Sequence, residues 1–240
     1  MIHDAFTYLT TSANWTGSNG MLSELWQQLF LTFTAMVVAM VLALPIALAL
    51  GHLGKGGFLA INISNIGRAI PTFAVLVVLS VGPVGSAVLG PYGRAGLATL
   101  IALTLFALPP IITNSYVGVR EVDRGIVEAA RGMGMNGWQL FSSVELPLAL
   151  PLIMTGLRLA LVQLWATATI AALVAGPGLG NVITAGFFRS NYGKGLAGAA
   201  VVAAVALVLE SGSAVLEKRV DPRRRSERVA VNLTSANTLA

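Results

Sequence analysis

The chain has 240 residues, 55% of them apolar and only 10% charged, with a formal net charge of +5 and no cysteine. Soluble domains are about a quarter charged, so this composition, with a mean hydropathy of +0.78, excludes an ordinary water-soluble enzyme and points to an all-α integral membrane protein. The absence of cysteine excludes a disulfide framework and any thiolate metal site.

A bilayer core about 30 Å thick needs roughly 20 apolar residues at a helical rise of about 1.5 Å each. Residues 1–24 mix Phe6, Tyr8 and Trp15 with polar neighbours and contain no Lys or Arg. They are expected to form an extracytoplasmic segment lying at the membrane interface. The first apolar run begins only near Leu25 and no small-residue cleavage pattern ends it, so no cleaved signal peptide is expected. About five transmembrane helices are predicted in total. The first covers Leu25 to Leu50 with a kink at Pro45, and His52 beyond it reads as a loop residue. The second covers Phe58 to Val81 and the third Gly96 to Val117. The fourth starts at Pro147 or Pro151 and reaches Ala175, and the fifth covers Leu196 to Leu216. Proline and glycine inside such runs are tolerated because neighbouring helices satisfy the freed backbone groups. Nothing resembling a linker divides residues 25–217, which form one transmembrane domain followed by a basic tail, 218–240.

Orientation follows from the basic residues. With the long loop 118–147 placed in the cytoplasm, Lys55, Arg120, Arg124, Arg131, Lys218, Arg219, Arg223, Arg224, Arg225 and Arg228 fall inside. Only Arg94, Arg189 and Lys194 fall outside. The N-terminus is therefore expected outside and the C-terminus in the cytoplasm. The positive charge reflects topology and not nucleic-acid binding, because no aromatic platform is interleaved with it. The basic tail is expected to lie against anionic lipid headgroups.

The loop between the third and fourth spans carries the strongest motif, EAARGMGMNGWQLFSSVELP from Glu128 to Pro147. Ile126, Val127, Ala130 and Met133 recur at helical spacing, with Asp123 placed to cap that helix. Gly132 and Gly134 end it. A second short helix is predicted to start at Asn136, with Gln139 as its capping-box partner and Trp138, Leu140 or Phe141, and Val144 as its stripe. The expected product is a cytoplasmic knob of two short helices joined by glycines.

In Glu128, Ala129, Ala130, Gly134, Val144, Leu146 and Pro147 this loop resembles the ATPase-coupling loop of permease subunits of bacterial ABC importers. Arg68-Ala69-Ile70-Pro71-Thr72, Leu146-Pro147-Leu148-Ala149 with Gly156-Leu157-Arg158, and Gly178-Leu179-Gly180 with Ile183 and Gly186 resemble the branch that carries osmoprotectants. Where that branch often has a Gly-Gly before Leu-Gly, Pro177 stands here in place of a glycine. The resemblance implies the type I importer permease fold and import of glycine betaine, choline, carnitine or proline across the bacterial cell membrane. It also implies three partners: ABC ATPase subunits, a second permease copy or paralogue, and a separate extracytoplasmic solute-binding protein.

No phosphate-binding Gly-x-x-x-x-Gly-Lys-Ser/Thr motif occurs, so ATP and magnesium are expected on the partner ATPase and no cofactor on this chain. His3 and His52 are isolated, leaving no histidine metal site or catalytic triad. Three charges fall within or beside spans, Arg68, Arg158 and Glu210. Such charges face the bundle or a cavity, and Glu210 is within reach of either arginine. Two other readings share the composition: a permease for methionine or another amino acid, and an ion-coupled secondary transporter. The second is disfavoured by the lack of an internal repeat and of acidic residues at span centres.

Overall fold

A computed structural model describes residues 1–17, 19–86 and 95–220, except for the side chains at 59, 60, 63, 64 and 68. The loop that carries Arg94, the tail with Arg223, Arg224, Arg225 and Arg228, and the side chain of Arg68 therefore lie outside the description. No strand occurs among the described residues.

The long apolar runs become helices. These are α2 (Met21–Leu53), α5 (Gly96–Arg120), α8 (Leu146–Ala171) and α10 (Tyr192–Val220), with α1 (Ile2–Thr10) ahead of them. At 33 residues, α2 is about 50 Å long and exceeds a bilayer core at both ends. It runs through Pro45 without interruption and includes His52 in its last turn, ending at Gly54 in the left-handed conformation. His52 is thus not the loop residue its sequence context suggested. α10 likewise starts four residues before the predicted limit and ends four after it.

The second span differs most from expectation. In place of one helix from Phe58 to Val81 the chain forms α3 (Gly57–Ala69) and α4 (Thr72–Val81), separated by extended backbone at Ile70 and Pro71. Proline lacks an N–H and disfavours the helical region for the residue before it, which accounts for a break at this point. Among the described residues, four stretches are long and apolar enough to cross a membrane unaided. The predicted second span is the tandem of α3 and α4, which lies antiparallel along α5. Gly57 meets Tyr116, Gly67 meets Pro109, and Leu76 packs on Ala102 and Phe106.

The core lies where α2, α5 and α8 converge. Ala35, Ala39, Ala43 and Ala47 form a fully buried stripe on α2, the first three packed with Leu103, Ala107 and Ile111 of α5 and Ala160, Leu164 and Ala168 of α8, and Ala47 with Tyr116 of α5. Lipid tails are as apolar as the helices, so association depends on close packing of small residues and interhelical hydrogen bonds. Gly156 illustrates the first. A Cβ there would sit 2.7 Å from the Asn114 Cβ and 2.9 Å from the Pro110 carbonyl oxygen.

Polar groups close the end of the bundle where α1 lies. Gln28 on α2 is fully buried, accepts from the Leu179 N–H at 2.9 Å and donates to the Thr169 hydroxyl at 2.8 Å. Glu24, one turn earlier, accepts from the Gly178 N–H and the Asn181 amide, both at 3.1 Å. These bonds fasten the turn 175–179, where Ala175 (φ 61°) and Gly178 (φ 123°) take positive φ on either side of Pro177. The turn leads into α9 (Gly180–Phe188), a short helix absent from the sequence reading. α1 packs along α10, with Tyr8 and Leu9 joining the cluster around Trp165, Leu179 and Val182.

Candidate functional site

The segment after α5 folds into α6 (Arg124–Gly132) and α7 (Gly137–Leu140), followed by a π-helical turn, Phe141–Glu145, that runs into α8. Each boundary has a local cause. The Asp123 carboxylate accepts from the Gly125 N–H at 2.7 Å and caps α6. Gly134 has φ of 84°, a conformation available to glycine at little cost. The Asn136 side chain accepts from the Gln139 N–H while the Gln139 side chain accepts from the Asn136 N–H, each at 2.9 Å. This is the reciprocal capping box that the sequence predicts.

The faces of this knob decide what it presents. Ala130 is 2% exposed and Leu140 1%, so both are its internal packing. Glu128, Ala129 and Gly134 are exposed, and the Gly134 Cα has open space where a side chain would be. Ile126 and Met133, read from periodicity as part of a helical stripe, are 47% and 74% exposed, and Trp138 is 74% exposed. Trp138 lies 5.8 Å from the Phe141 ring. Val144, Leu146 and Pro147 are half-buried at the root of the knob. An otherwise polar projection thus carries large apolar side chains outward.

His52 holds the root from another element. Its Nδ1 pairs with the Glu145 carboxylate, and its ring meets Phe141 edge-on at 5.5 Å. Glu145 is 5% exposed. Neither residue stood out in the sequence, because the partners are separated by 93 residues.

A second polar cluster joins α8 to α10. The Arg158 guanidinium forks onto two carboxylates, with Nε donating to Glu210 at 2.8 Å, Nη2 also on Glu210, and Nη1 donating to Glu217 at 3.0 Å. The Thr155 hydroxyl donates to the other Glu217 oxygen at 2.7 Å. Of the two arginines within reach by sequence, the geometry places Arg158 against Glu210. It adds Glu217, which the sequence reading did not single out. Among the described residues no group of three or more His, Cys, Asp or Glu side chains is arranged to hold a metal ion.

Residues 35–226 match the family model described as the binding-protein-dependent transport system inner membrane component. The chain belongs to this family. It is 34% identical over 206 residues to the carnitine transport permease protein of Listeria monocytogenes, covering 85% of this chain and 90% of that one. It is 31% identical over 214 residues to the glycine betaine/carnitine/choline transport system permease protein of Bacillus subtilis strain 168, covering 87% and 92%. Among solved structures, the MetNI methionine ABC transporter in an inward facing conformation aligns with a TM-score of 0.68 at 23% identity, covering 83% of this chain and 95% of that one. That likeness establishes the type I importer permease fold. The protein is accordingly a multi-pass membrane permease component and not an ion-coupled secondary transporter.

Proposed function

We propose that the chain is the permease subunit of an ATP-driven importer that moves a small osmoprotectant, such as glycine betaine, carnitine, choline or proline, across the bacterial cell membrane. The observation that carries this reading is the knob, a rigid pair of capped helices that turns Ile126, Met133 and Trp138 outward beside Glu128 and Ala129. A partner ATPase docks there, holds ATP and magnesium, and performs the hydrolysis. The permease contributes no catalytic group and binds no cofactor. The substrate class rests on the names carried by relatives at 30–34% identity over more than four-fifths of this chain.

The knob and the C-terminus lie in the cytoplasm and α1 outside, a reading that the bias of Lys and Arg supports. A second permease copy or paralogue completes the path, and a separate binding protein delivers solute from outside. Closure of the ATPase pair draws the knobs together and turns the cavity outward, and hydrolysis resets it. Glu128 engages basic groups of the ATPase, and Gly134 sets the angle between the two helices. Affinity capture from native membranes in mild detergent tests the reading. It is expected to recover an ABC ATPase and a solute-binding protein, whereas recovery of the chain without an ATPase would contradict it.

A further inference from the structure

The π-helical turn at Phe141–Glu145 is the one covalent joint between α7 and α8. A π turn inserts an extra residue into the helical repeat and is less regular than the α-helix on either side. A push on the knob transmitted through this joint alone would be partly absorbed in it. His52 bridges the joint from outside. Its Nε2 lies 3.6 Å from where a Cβ on Gly137 would stand, its ring meets Phe141, and its Nδ1 pairs with Glu145. One side chain of α2 thereby touches the start of α7 and both ends of the π turn.

The same helix is fastened at its other end. Glu24 and Gln28 hold the turn 175–179 through the Gly178 and Leu179 N–H groups, and the fully buried alanine stripe between them and His52 packs α2 along α5 and α8. In its last turn α2 also meets α5 closely, since a Cβ on Gly51 would be 2.9 Å from the Val119 Cβ. α2 is therefore one continuous helix with a polar attachment at each end. One attachment lies on the knob and the other on the turn that closes the far end of the bundle.

We propose that His52 is a positioning residue for transport, tying the knob to α2 so that knob movement reaches the 175–179 turn through α2 as well as through α8. This rests on the coupling role of the knob proposed above. His52 makes no contact with solute or nucleotide in this role. It keeps the knob and α2 moving as one body, with Glu145 as the anchor.

The test uses the complete transporter in proteoliposomes, with ATP hydrolysis and uptake read from the same vesicles and glycine betaine, carnitine and choline offered separately. His52→Ala is expected to retain bound ATPase and solute-stimulated hydrolysis while the ATP consumed per solute imported rises severalfold. His52→Gln, which keeps a hydrogen-bond donor toward Glu145, is expected to restore most of the ratio. His52→Ala/Glu145→Leu, which leaves no buried carboxylate without a partner, is expected to remain uncoupled. An unchanged ratio in His52→Ala would overturn the proposal. So would a normal ratio in the double variant, which would reduce the effect to charge burial, or loss of the ATPase from His52→Ala. A wild-type complex without solute-stimulated hydrolysis would instead overturn the importer reading and this inference with it.

Discussion

Gly134 shows how much a single position can carry. Its φ of 84° makes the turn between α6 and α7, and the space around its Cα is open. A side chain there would meet no clash, so its cost is backbone strain, about 1–2 kcal/mol for an L-residue in the left-handed region, and added bulk on an exposed face. Gly134→Val is accordingly expected to insert into the membrane and fold nearly as the parent does, while uptake in reconstituted vesicles falls to background and the ATPase co-purifies poorly. Normal uptake with normal solute-stimulated hydrolysis would remove Gly134 from the coupling surface. The caps of the knob were legible in the sequence because they are local: Asp123 bonds two residues on and Asn136 three. The orientation of Ile126 and Met133 was not, since periodicity gives a stripe but not which neighbour covers it. His52 and Glu145 carry no local signal for each other, and only tertiary packing joins them.

Between elements, the most informative link is the fork of Arg158 on α8 onto Glu210 and Glu217 of α10. The two carboxylates are seven residues apart and so share a helix face, which the charge pattern alone did not reveal because Glu217 sits among basic residues at the end of the run. One cation serves two anions here, and this sets the order of mutational effects. Arg158→Met leaves two carboxylates without a cation beside apolar surface and is expected to lower the thermal midpoint of the detergent-solubilised subunit most. Glu210→Gln is milder because Nη1 keeps Glu217. Arg158→Met/Glu210→Gln is expected to recover part of the single Arg158 loss, since removing both partners of a pair leaves less uncompensated charge than removing one. Strictly additive losses would show that the pair does not contribute. Elsewhere, helix existence was readable from apolar run length. The break at Ile70-Pro71 and the short α9 were not, because both depend on where backbone groups freed by proline and glycine find partners. The chain marks the first with a single Pro71, and proline alone does not distinguish a kink from a full interruption.

For the whole molecule, the helix bundle puts α1 and α9 at one end and the knob and the close of α10 at the other, and the orientation proposed from the distribution of Lys and Arg sets the knob end in the cytoplasm. Single cysteines are easily read against a background of none. An impermeant thiol reagent applied to intact cells is expected to label Ser12→Cys and Asn191→Cys and to spare Met133→Cys and Lys218→Cys, all four at exposed positions. Labelling at position 133 from outside would invert the topology and place the knob beyond the reach of any ATPase. Chain architecture alone does not name the solute. Similar architecture occurs in a methionine transporter, and the osmoprotectant assignment draws on relatedness over the full span of the domain. The most direct measurement is uptake by the purified permease, ATPase and binding protein in proteoliposomes loaded with ATP, with glycine betaine, carnitine, choline, proline and methionine supplied one at a time. ATP-dependent accumulation of at least one of the osmoprotectants, with none of methionine, is the predicted result; accumulation of methionine alone, or uptake that proceeds on an ion gradient without ATP, would contradict it.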